Sequence, residues 1–109
     1  MKVILDIFGR SVRLTEERWG HIVETHPEMV DQLSNLEETL INPYAVIESM
    51  NDNAVQLFYR AFRHLSFGEK YFCVVVKTQL DDAFIITAYI TDTIKKDVKY
   101  GKKYKSMVR

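Results

Sequence analysis

Apolar and polar positions change period along the chain, and each change marks an element. At the start Val3, Leu5 and Ile7 alternate with Lys2, Ile4 and Asp6; the pattern stops at Gly9 and resumes from Val12 to Leu14. That is a short, hairpin-like beginning. In "LTEERWGHIVETHP" the period lengthens: Trp19, Ile22 and Val23 form one stripe at spacings of three and four. Thr15 is the predicted N-cap, Glu16 and Glu17 suit the first turn, and Pro27 disfavours the helical conformation at His26. A second helix is predicted from about Glu28 to Ile41, with Met29, Leu33, Leu36 and Leu40 on its apolar face and "INPY" as its stop.

After Pro43 the period shortens to two. "YAVIESM", "AVQLFYRAF", "KYFCVVVKT" and "AFIITAYIT" are rich in β-branched and aromatic residues, and "NDN", "RHLSFGE" and "QLDD" separate them as turns. The predicted fold is therefore α+β, with N-terminal helices on one face of a four-stranded antiparallel meander. Alternation groups Phe84, Ile86, Ala88 and Ile90 on one face of the last strand. It predicts that the opposite sheet face gathers Arg60, Lys77, Thr87, Tyr89 and Thr91 into a concave polar site.

Composition narrows the class without changing this picture. A chain of 109 residues fits one domain, 1–109, with no linker or repeat. At 47% hydrophobic and 28% charged it is an ordinary globular mixture, which excludes disordered and fibrous classes. No apolar run reaches the roughly 20 residues of a membrane span, and Asp6 and Arg10 spoil the N-terminus as a signal peptide. A single cysteine, Cys73, excludes a disulfide framework and a four-thiolate zinc site. A cytoplasmic protein with no membrane partner is the expectation.

Net charge is zero, but charge is unevenly placed. Arg18 is the only Lys or Arg between Glu16 and Glu48, whereas "IKKDVKYGKKYKSMVR" carries one acid among many lysines. The tail, about 95–109, reads either as a solubilising terminus or as a phosphate-contacting arm. In the second reading Lys95, Lys96, Lys99, Lys102 and Lys103 meet the backbone while Tyr100 and Tyr104 stack on bases.

His21 and His26 invite a metal reading, which their spacing opposes. Helical zinc pairs stand three or four residues apart, and five turns the two rings about 140° from each other. No metal and no cofactor is expected. On an ideal wheel His21 lies away from the apolar stripe, near Glu17 and Glu24, while His26 falls in line with Ile22. His64 sits in a loop and is the weakest of the three. Histidine, arginine, lysine, tyrosine and threonine together are the residue types that cleave RNA without a metal. The ribose 2′-OH is the nucleophile, histidine moves the proton, and cations and hydroxyls hold the charge growing on phosphorus.

The runs "LTEERWGHIVETHPEM", "NP", "FYR", "KYFCVVVK" and "FIITAYITDTIKK" resemble the small phage- and bacteria-associated nuclease-like domains of the barnase–EndoU–colicin–RelE superfamily, over residues 12 to 96. The resemblance implies a RelE-like α+β fold and a metal-independent endoribonuclease of toxin type. Its partners would be RNA and a cognate antitoxin or immunity protein. Carried over by position it marks His21, His26, Arg60, Thr87 and Tyr89 as catalytic candidates; Lys77, added from the sheet-face pattern, is an RNA-binding candidate with the tail lysines. The alternative reading is a non-catalytic RNA-binding or partner-binding module on the same scaffold.

Overall fold

A computed structural model describes residues 1–64, 68–94 and 103–105. Two short strands, β1 (Lys2–Leu5) and β2 (Ser11–Leu14), form an antiparallel hairpin. Gly9 takes a φ of +83° in its turn, a conformation that L side chains resist. Asp6 locks the turn. Its carboxylate accepts from the backbone N–H groups of Phe8 and Arg10, each at 2.9 Å, and from Arg10 Nε at 2.9 Å. Arg10 also donates to Gln56 on β4 (Val55–His64) at 2.6 Å, tying the turn to the sheet.

Helix α1 (Glu16–Thr25) begins and ends as its signals require. Thr15 caps it by accepting from the Arg18 N–H at 3.0 Å, and His26 closes it through its N–H on the Ile22 carbonyl at 2.7 Å. The second predicted helix is broken in two. Pro27 opens a 3₁₀ turn (Pro27–Met29), and α2 (Leu33–Ile41) starts only after it. The predicted stripe survives the break, because Met29, Leu36 and Leu40 are all fully buried. Truncating either leucine to alanine is expected to cost about 2–5 kcal/mol.

The meander is present: β3 (Ala45–Glu48), β4, β5 (Gly68–Gln79) and β6 (Asp82–Thr91) pair antiparallel in sequence order. The four-stranded antiparallel sheet is nevertheless a misreading. The hairpin adds to the edge of β6, with β2 parallel to it at Arg13–Phe84, and a short β7 (Lys103–Lys105) adds to β3. The sheet is mixed, in the order β1-β2-β6-β5-β4-β3-β7. Nor are the helices an N-terminal layer, since a strand hairpin precedes them and both are short. The physical reason is edge protection. A meander leaves β6 unpaired on one side, and Val12 and Leu14, both buried, carry the hairpin into that gap.

A bulge changes which residues face the helices. Val76 pairs with Ile85 and Val75 with Thr87, so Ile86 is left over and the alternation slips by one. The helix side of β6 is therefore Ala83, Ile85, Ala88 and Ile90, where strict alternation gave Phe84 and Ile86. The other face is not an open polar concavity. Ile47, Leu57, Tyr59 and Cys73 form a second buried cluster there, with Tyr71, Val75, Tyr89 and Ile94 packed on it. Among the described residues no helix is long and apolar enough to cross a membrane.

Candidate functional site at the edge of β6

Strand register separates the residues that alternation had grouped. Arg60 pairs with Phe72, and Phe72 with Ile90, so all three share the helix-bearing face. Lys77 pairs with Val55 and Phe84 on the opposite face, where its ammonium lies 3.3 Å from Asp52. Tyr89 pairs with Cys73, and Thr87 with Val75, also on that opposite face. Arg60 is thus not a neighbour of Tyr89 across a strand. The expectation failed because β4 presents Phe58, Arg60 and Phe62 to the helices, a charge inside an otherwise apolar row.

The two histidines also part company. His21 is exposed on α1, whereas His26, at the helix C-cap, is partly buried against the sheet edge. β2 covers β6 only at Phe84, so among the described residues no strand flanks Thr87 to Thr91 on the side away from β5. The 3₁₀ turn fills this gap. Glu28 Oε2 accepts from the Ile90 N–H at 3.4 Å, and the same oxygen lies 3.7 Å from His26 Nδ1. The imidazole packs on the Tyr89 ring with centroids 5.4 Å apart and planes tilted by 40°.

His26, Glu28 and Tyr89 therefore form one cluster, built by the chain reversal that Pro27 imposes. Glu28 is the member that the residue pattern missed. Its signal was an acid two positions after a histidine, across a proline that fixes the backbone between them. Asp92, just beyond β6, pairs with Lys70 of β5 and pins the strand end next to the cluster. Thr91 is engaged locally, its hydroxyl accepting from the Thr93 N–H at 3.4 Å.

The Tyr89 hydroxyl is a poor base. Burial holds its ionisation above the ordinary phenol range, and the hydrogen bond it shares with Cys73 and the nearby Tyr59 add to the shift. Cys73 itself is fully buried, which removes it as a surface nucleophile. Among the described residues no three His, Cys, Asp or Glu side chains converge to hold a metal ion. The tail lysines Lys95, Lys96, Lys99 and Lys102 lie outside the described residues, and Lys103 is described only as backbone in β7. Ile94, which they follow in the chain, packs on the same cluster as Tyr89.

Comparison of the chain with protein-family models, curated proteins and solved structures found no match.

Proposed function

We propose that the chain is a metal-independent endoribonuclease of the cytoplasm, with His26 as its acid–base group. The observation that carries this reading is the His26–Glu28 pair at the open edge of β6. Glu28 occupies the Nδ1 side of the imidazole, which leaves Nε2 to work on a substrate. A carboxylate on the side of one nitrogen orients the ring so that the other faces the substrate.

In the reaction Nε2 takes the proton of a ribose 2′-OH, and the oxygen attacks the adjacent phosphorus. The bond to the 5′ oxygen breaks, and that oxygen takes a proton from water as it leaves. The products are a 2′,3′-cyclic phosphate and a 5′-OH. The Tyr89 ring seats His26, and Thr87 supplies a hydroxyl two positions before it on the same face of β6. Tail lysines following Ile94 would supply phosphate contacts. Arg60 lies on the helix side, two strands from β6 and so about 10 Å from Ile90. It contributes to the positive field, and its direct contact with the scissile phosphate is not required. A toxin acting with a cognate antitoxin or immunity protein is the biological setting this chemistry fits.

The test is incubation of the purified protein with total RNA in excess EDTA, followed by mapping of the ends. Cleavage that persists and leaves cyclic phosphates supports the proposal. RNA bound but left intact points instead to a binding module on the same scaffold.

A further inference from the structure

The two edges of the sheet are guarded differently. At one end β7 has the sequence Lys–Tyr–Lys, and edge lysines discourage pairing between molecules. At the other end β1 has no such guard. Val3 is 55% and Leu5 61% exposed, Met1 and Phe8 extend the apolar run, and the one lysine, Lys2, is paired with Glu37 at 3.0 Å.

The hydrogen-bond phase of β1 is fixed by the Asp6 N–H on the Arg10 carbonyl at 2.9 Å. Antiparallel ladders alternate, so Ile4–Val12 and Lys2–Leu14 are the bonded pairs with β2. The N–H and C=O groups of Val3 and Leu5 then point outward, to the open edge. An antiparallel copy of β1 centred on Ile4 sets Val3 opposite Leu5 of the second copy, and Leu5 opposite its Val3. Both pairs have the phase to exchange two backbone hydrogen bonds, and both place apolar side chains together on one sheet face. The same register, extended past Leu5, brings Ile7 of the second copy opposite Met1. There a cavity of about 330 Å³, lined by Met1, Lys2, Leu14, Trp19 and Leu33, lies on the helix side of β1.

We infer that two copies of this chain associate through β1 about a two-fold axis at Ile4, joining their sheets into one. A strand this short buries less than the roughly 1,200–2,000 Å² of a stable complex, so the dimer is weak, with a dissociation constant above about 1 μM. The partner is a second copy because the outward groups and the apolar side chains complement themselves in a single register.

The experiment is sedimentation velocity of the full chain over a series reaching about 1 mM. Wild type is expected to shift from monomer to dimer. Leu5→Lys, at an exposed position, is expected to weaken association at least 10-fold, roughly the effect of placing a charge in a small apolar interface. Val3→Pro removes an outward N–H that β2 does not use, and should do the same while circular dichroism stays unchanged. Mixing Val3→Cys protein with Leu5→Cys protein should give a disulfide-linked dimer faster than either alone, with buried Cys73 not competing. A monomer throughout the series, a dimer indifferent to Leu5→Lys, or faster linkage of either cysteine variant with itself would overturn the proposal.

Discussion

His26 and Glu28 hold each other at the unpaired edge of β6, Nδ1 to Oε2 at 3.7 Å, and the same carboxylate oxygen takes the Ile90 N–H. One acid thus serves the imidazole and closes the strand edge. Glu28→Gln keeps an oxygen for Ile90 but removes the charge beside His26. It is expected to fold like the wild type and to lose turnover by about 10-fold. Glu28→Ala should lose the same turnover and about 0.5–1.5 kcal/mol of stability as well. Urea melts beside single-turnover RNA cleavage separate the two effects.

Tyr89 offers His26 a ring, and its hydroxyl is engaged with Cys73 and kept protonated by burial. Tyr89→Phe should therefore keep turnover within a few-fold of wild type, while Tyr89→Ala should lose most of it. The pH dependence has a definite sign. A phenol whose ionisation is raised by folding contributes stability that is complete below the unfolded value of 10.0 and is lost as pH rises beyond it. Chemical denaturation between pH 9 and 11, roughly, should show wild type losing stability more steeply than Tyr89→Phe.

How much of this was legible in the sequence differs by element. The Thr15 cap and the stop at His26 follow from local signals, and each is where those signals put it. The four-stranded antiparallel sheet read from the same kind of signal is only part of a larger mixed sheet. The place of β2 beside β6 was not legible, because a four-residue strand pairing in parallel with one far along the chain, at Arg13–Phe84, leaves no local trace. The bulge at Ile86 was invisible for a similar reason: in a β-branched run either phase looks apolar. It moved Phe84 off the helix side, and Arg60 was lost to the site by its own register with Phe72. His26 was named from the outset, but its partner Glu28 was read only as the start of the second helix.

Asp6 is the most demanding residue of the N-terminal hairpin, a carboxylate with no exposed side-chain surface, held by two backbone donors and Arg10. Asp6→Ala takes the acceptor from both N–H groups and leaves the Arg10 guanidinium without its carboxylate, still bonded to Gln56. A loss of about 3–5 kcal/mol is expected, read from denaturant midpoints. A loss below about 1 kcal/mol would mean that the turn is held by Gly9 and the ladder alone.

Leu80 sits in the β5–β6 turn at a φ of +57° with its side chain fully exposed. A branched side chain gains nothing there and strains the backbone. Leu80→Asn should stabilise the protein by about 0.5–1 kcal/mol, because asparagine tolerates this conformation. A rise in the midpoint of thermal unfolding would register it.

The most direct measurement compares His26→Ala with His21→Ala on RNA in EDTA, with folding checked by circular dichroism. His21 is exposed on α1 and should behave as wild type. His26→Ala should fold normally and lose about 10² to 10⁴-fold in cleavage rate, the loss typical of a missing acid–base group. Full cleavage by His26→Ala, or a loss confined to His21→Ala, would contradict the assignment of the β6 edge as the active site.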